Sequence, residues 1–200
     1  IPAAAGRLLA RADLFTNLAE RIERAKPRIM VFCGRGSSGH VGVYLRYLFE
    51  VRLGMVASAA APSVVTAYRR PPDFRDALFV VVSQSGRSPD VIDATQMARK
   101  FGALTLAIVN DENSPAATAS ELVLPIGAGT EQSVAATKTV VLSMIAGAQL
   151  VAALAQDDDL SGGLRNLPQR LSGALACDWS PWAERAAGAA AAFIVGRGYG

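Results

Sequence analysis

Short apolar runs separated by glycine-, serine- and proline-rich breaks set the rhythm of this chain. Residues 29–33 (Ile-Met-Val-Phe-Cys), 77–83 (Ala-Leu-Phe-Val-Val-Val-Ser) and 104–109 (Leu-Thr-Leu-Ala-Ile-Val) are continuous rather than alternating. That pattern is expected of strands buried on both faces of a parallel sheet. Weaker strands are predicted at 55–60 and 121–124. Between the strands the spacing turns helical. Residues 8–25 predict one amphipathic helix with Leu8, Phe15, Leu18 and Ile22 on its apolar face, stopped by Pro27. Residues 40–53 predict a helix with Val43, Tyr47 and Val51 on one face, and 89–101 a third. Asn110, Asp111, Asn113 and Pro115 read as loop, and Gly127-Ala128-Gly129-Thr130 opens a long helix through 134–155. Strand and helix in alternation predict an α/β fold with a five-stranded parallel sheet.

Past residue 155 the composition changes. Asp157-Asp158-Asp159 and Ser161-Gly162-Gly163 read as a solvated connection, followed by helices at 164–176 and 179–191. The closing Ala192-Phe193-Ile194-Val195-Gly196-Arg197-Gly198 then repeats the earlier order Met30-Val31-Phe32-Cys33-Gly34-Arg35-Gly36. A whole-domain repeat is the natural inference. The expected organisation is a first domain with its leading helix at 1–156, connecting helices at 157–191, and at 192–200 the first strand of a truncated second copy.

Composition narrows the function classes. Half of the 200 residues (51 %) are hydrophobic and 18 % charged, which predicts a packed core rather than disorder. The net charge of +3 comes from scattered arginines that form no basic stripe, so a nucleic-acid partner is not expected. Cys33 and Cys177 stand apart and belong to no C-x-x-C pair. Cys33 ends an apolar run as a small buried hydrophobe, and the single histidine, His40, makes no metal cluster by itself. No metal or cofactor is expected, and a reducing, cytoplasmic setting fits. The start Ile1-Pro2-Ala3-Ala4-Ala5 has no basic region followed by an apolar stretch, so no signal peptide is expected. The run at 134–155 is long enough to span a membrane, but Lys138, Thr139, Ser143 and Gln149 interrupt it. A core or subunit-interface helix is the expectation, with no membrane partner.

Three strand-to-helix loops carry the candidate chemistry, and in a parallel sheet such loops lie where ligands bind. The first, Gly36-Ser37-Ser38-Gly39, combines close backbone approach with two hydroxyls. It is not a dinucleotide fingerprint, because no acidic residue ends the next strand, nor a P-loop, because no Gly-Lys-Ser/Thr closes it. The second, Ser83-Gln84-Ser85-Gly86-Arg87-Ser88-Pro89-Asp90, suits a helix start with Ser88 as cap and Pro89 in the first turn. Backbone N–H groups there, with the hydroxyls of Ser83, Ser85 and Ser88, make an anion site. Three serines and a glutamine around one glycine exceed what capping needs. The third loop carries Glu131 near a helix start, where capping is a sufficient account, and Lys138, which could pair with a carboxylate or touch a ligand.

Taken together, Gly36-Ser37-Ser38, Ser83-Gln84-Ser85-Gly86 with Ser88, and Ala128-Gly129-Thr130-Glu131 with Val134-Ala135-Ala136-Thr137-Lys138 resemble the sugar isomerase (SIS) domain family. Within it they are most similar to the isomerase part of glucosamine-6-phosphate synthase and the SIS-type glucosamine-6-phosphate deaminases. The resemblance implies a flavodoxin-like, three-layer α/β/α domain, two in tandem, in a homodimer acting on hexose 6-phosphates. It implies sugar-phosphate contacts at Ser37, Ser38, Ser83, Gln84, Ser85 and Ser88, a backbone contact at Val134, and secondary candidates Gly36, Gly86, Glu131 and Lys138. The family's catalytic Glu, Lys and His match none of these residues and are expected beyond Gly200. Arg87-Ser88 stands where the synthase has Glu-Thr, which favours a stand-alone deaminase converting glucosamine 6-phosphate to fructose 6-phosphate and ammonia. The alternatives are the glutamine-dependent synthase and a non-catalytic sugar-phosphate sensor.

Overall fold

The computed structural model describes residues 1–132, 135–196 and 198. The chain opens with α1 (Pro2–Leu9) and α2 (Ala12–Ala25). An alternating core follows: β1 (Ile29–Cys33), α3 (Ser37–Leu53), β2 (Val56–Ala59), α4 (Pro62–Thr66), β3 (Ala77–Ser83), α5 (Pro89–Lys100), β4 (Leu104–Val109), α6 (Pro115–Ala119), β5 (Leu122–Pro125) and α7 (Thr137–Ala155). Three further helices follow, α8 (Asp158–Arg165), α9 (Leu167–Ala176) and α10 (Ser180–Ala187).

The five strands form one parallel sheet in the order β2-β1-β3-β4-β5. Pleating divides its side chains between two cores. Met30, Phe32, Leu78, Val80, Val82, Leu106, Ile108, Leu122 and Leu124 face α1, α2, α3 and α7. Cys33, Phe79, Val81, Ala107 and Val109 face α5 and α6. The middle strand β3 is buried along nearly its whole length, while β2 at the edge is mostly exposed. The α/β/α layering with five parallel strands is therefore as expected.

Several elements depart from the sequence reading. Residues 8–25 are not one helix: the backbone turns at Ala10–Arg11, where the Arg11 guanidinium donates to the Pro125 carbonyl at 3.1 Å. The break lets α1 pack on both α7 and α9 while α2 packs on α7. Helix α3 buries Val41, Leu45, Leu48 and Phe49 rather than Val43, Tyr47 and Val51, which are 47 %, 37 % and 60 % exposed. Its inward face is set by Gly42, where an added Cβ would lie 2.0 Å from the Phe32 ring. Only a residue without a side chain lets the helix sit that close to β1.

The acidic connection after α7 is itself helical. Asp157 accepts from the Leu160 N–H at 2.8 Å as the cap of α8, Asp158 and Asp159 occupy its first turn, and Leu164 is buried. The negative charges thus sit at a helix start, where the macrodipole favours them. The helix read at 164–176 begins at Leu167, and that at 179–191 covers Ser180–Ala187. Residues 191–196 carry no regular secondary structure, and Phe193, Ile194 and Val195 are exposed. Among the described residues, α7 is the one helix long and apolar enough to cross a membrane; here more than half of it is buried against the fold.

Candidate functional site

Strand order decides where a site can form. β2 lies on one side of β1 and β3 on the other, so the chain leaves β1 and β3 toward opposite layers. Helix α3 packs into one core and α5 into the other. In a doubly wound sheet of this order the loops part at the β1/β3 switch point, opening a crevice at the carboxyl ends of the strands.

A cleft of about 190 Å³ occupies that crevice, lined by Arg35, Ser37, Ser38, Ser83, Gln84, Ser85 and Ser88, with Val82 and Val91 as apolar floor. All six hydroxyl and amide side chains singled out in the first two loops meet there. The cleft is smaller than the roughly 300–1,000 Å³ of pockets that enclose drug-sized ligands. It suits a head group whose remainder projects outward. Wider hollows lie along α4 and α5, but no set of hydroxyls converges on them.

The serine turn is shaped from within. Ser83 Oγ accepts from the Gly86 N–H at 3.0 Å, and Ser85 Oγ accepts from the Arg87 N–H at 3.3 Å. A hydroxyl whose oxygen receives a backbone N–H still has its own proton to donate. Ser88 is the N-cap of α5, yet its side chain makes no cap hydrogen bond. Its carbonyl instead accepts from the Val91 and Ile92 N–H groups at 3.1 and 3.0 Å. Three serines therefore have protons to donate; in the first turn of α5 Pro89 has no N–H and the Val91 N–H is already paired, so the backbone adds the Asp90 N–H. Such a donor-rich wall suits a ligand that only accepts hydrogen bonds.

Glycines fix both turns. Gly36 has φ 53° and Gly86 φ 63°, a region that side chains disfavour. At Gly86 a Cβ would also lie 2.1 Å from Ser114 Oγ, since the Gly86 carbonyl is held by the Ala116 N–H at 2.9 Å. The turn is thereby seated on α6, a helix hidden in what the sequence showed as loop.

Ion pairs frame the opening. Arg35 Nη1 lies 2.6 Å from Asp90 Oδ2, joining the turn after β1 to the first turn of α5. Arg87 lies 3.4 Å from Asp111, joining the serine turn to the loop after β4. Beneath them Cys33 is buried, and desolvation, aided by the nearby Asp90 carboxylate, pushes its thiol up to about 12. It is a neutral thiol of the core packed with Phe79 and Val81, and no nucleophile.

None of the described residues of the third loop lines this cleft. Glu131 accepts from the Thr139 N–H at 3.1 Å, which is the capping role its position suggested, for α7. Lys138 Nζ donates to the Thr130 carbonyl at 2.6 Å and so ties down the same loop. Neither lines the cleft. Val134 lies outside the described residues. His40 is exposed on α3. No group of three or more His, Cys, Asp or Glu gathers to hold a metal among the described residues. The sequence reading missed Arg35; the available signal was a lone charge between two glycines, with an acidic residue in the partner turn.

Known proteins resemble this chain in sequence and fold. The SIS domain model matches residues 22–153. A glutamine–fructose-6-phosphate aminotransferase (isomerizing) from Symbiobacterium thermophilum is 33 % identical over 208 residues, covering 96 % of this chain and 34 % of that protein. The protein of that name from Campylobacter jejuni is 33 % identical over 132 residues, 66 % of this chain and 22 % of its own length. A proposed phosphosugar isomerase from Silicibacter pomeroyi superposes with TM-score 0.87 and 42 % identity, over 90 % of this chain and 56 % of that one. The Vibrio vulnificus NanR protein complexed with ManNAc-6P shares the fold at TM-score 0.60 and 21 % identity, over 82 % and 62 %. The chain thus spans about a fifth to a third of these curated relatives.

Proposed function

We propose that this chain, which belongs to the SIS domain family, grips the phosphate of an amino-sugar 6-phosphate in the β1/β3 cleft. The observation that carries the reading is the convergence of Ser37, Ser38, Ser83, Gln84, Ser85 and Ser88 on one small polar cleft at the switch point. Hydroxyl donors and helix starts suit a phosphate, which accepts at every oxygen. The reaction proposed is glucosamine 6-phosphate to fructose 6-phosphate and ammonia. It needs a positioned acid–base pair around an opened sugar. The described residues that line the cleft include no such pair, and the proposal places the proton-moving groups in a second SIS domain of the full-length protein, within a cytoplasmic homodimer. The exposed Phe193-Ile194-Val195 run is taken as the first strand of that domain.

The test is ammonia release by the purified full-length protein given glucosamine 6-phosphate alone. Turnover that requires added glutamine would sink the deaminase reading. It would instead establish the second reading, the glutamine-dependent synthase, which the aminotransferase similarity over 96 % of the chain favours. Binding without turnover in either assay would leave a sugar-phosphate sensor.

A further inference from the structure

Among the described residues that line the cleft, Arg35 alone carries a positive charge, and that charge is turned toward Asp90. We propose that Arg35 is a phosphate ligand that exchanges partners, paired with Asp90 as seen here and transferring to the phosphate when a sugar phosphate binds. The inference rests on the phosphate reading of the cleft and adds a charge-switching residue to it.

Position supports the exchange. Arg35 stands two residues before Ser37, and Asp90 two residues after Ser88, so the bridge runs between the two walls that the ligand would touch. Charge supports it as well. The remaining lining side chains are neutral, and the carboxylate of Asp90 competes for the α5 start that would receive the dianion. Strength decides the direction. The Arg35 side chain is 69 % exposed and that of Asp90 27 %; ion pairs so open to solvent contribute little. A guanidinium on phosphate forms two parallel charge-assisted bonds in a fixed fork. An arriving phosphate is therefore the better partner, and displacing Asp90 from Arg35 costs little.

The contrary reading is a fixed bridge that pins the two walls and never meets the ligand. Calorimetric titration of glucosamine 6-phosphate into the full-length protein separates the two. Asp90→Asn is expected to tighten binding threefold or more. Adding Arg35→Gln is then expected to weaken it tenfold or more, taking the double variant below the unsubstituted protein, while affinity for unphosphorylated glucosamine stays within twofold throughout. Both side chains are at the surface, and unchanged thermal melting checks that the variants fold. A double variant that binds the phosphorylated sugar as the unsubstituted protein does would overturn the exchange while leaving the phosphate reading standing. Failure of the unsubstituted protein to bind the sugar phosphate would overturn that reading, and the exchange with it.

Discussion

Replacing Ser88 by alanine separates two jobs a serine can do at a helix start. A serine that caps through its hydroxyl costs typically about 1 kcal/mol of stability when changed to alanine. Ser88 makes no such bond, and what it gives α5 is its backbone carbonyl, which alanine keeps. Ser88→Ala should therefore change unfolding free energy by less than about 0.5 kcal/mol, the range of substitutions away from special features. Its hydroxyl lines the cleft, and a hydrogen bond to a charged group is worth about 1.5–3 kcal/mol. The dissociation constant for glucosamine 6-phosphate should rise roughly 10- to 150-fold. Urea denaturation measures the first quantity and calorimetric titration the second, with unphosphorylated glucosamine as control. A loss of 1 kcal/mol or more in stability with unchanged affinity would refute the reasoning, because Ser88 would then be an ordinary cap. Equal weakening toward the unphosphorylated sugar would refute the phosphate assignment.

Other expectations follow from particular contacts. Gly86→Ala should cost about 2–5 kcal/mol in urea unfolding, from left-handed backbone strain and the collision with Ser114; pairing it with Ser114→Gly should recover the collision part alone, and full recovery would mean the φ angle is unstrained. Glu131→Ala should lose about 1 kcal/mol of stability with the capping bond to Thr139, and sugar-phosphate affinity measured by calorimetry should not move. The buried Cys33 thiol should resist a disulfide reagent at pH 8 while the exposed Cys177 reacts at once. The same burial predicts an alkaline effect. The thiol titrates near its ordinary 9.0 when unfolded and near about 12 when folded, so its contribution is intact below pH 9 and lost as pH climbs through that window. The stability gap between wild type and Cys33→Ala should close by about 1.4 kcal/mol per pH unit above 9, and parallel curves would contradict the burial.

The sheet was legible because β1, β3 and β4 are uninterrupted apolar runs bounded by turn residues. Helices α4 and α6 were not, since five residues hold too little periodicity to read, and only the Pro62 and Pro115 starts hinted at them. The α3 face was misread because Val43, Tyr47 and Val51 repeat at helical spacing as well as the residues that are buried. A small residue, Gly42, decided the matter through a contact with Phe32 that no local pattern shows. The six hydroxyl and amide residues of the cleft were legible because loop composition and parallel topology point to the same sheet edge. The Arg35–Asp90 pair was not, because it joins turns 55 residues apart, and only the strand order brings them face to face.

That strand order has a consequence for cooperativity. One wall of the cleft extends from the core shared by α1, α2, α3 and α7, the other from the core shared by α5 and α6. The two hydrophobic clusters lie on opposite faces of the sheet and open to solvent independently in principle. A ligand held at once by Ser37 and Ser88 fastens one to the other. On the phosphate reading proposed above, occupancy should then slow amide exchange in both layers together, a small anion at the sheet edge serving as a cross-brace for the whole domain.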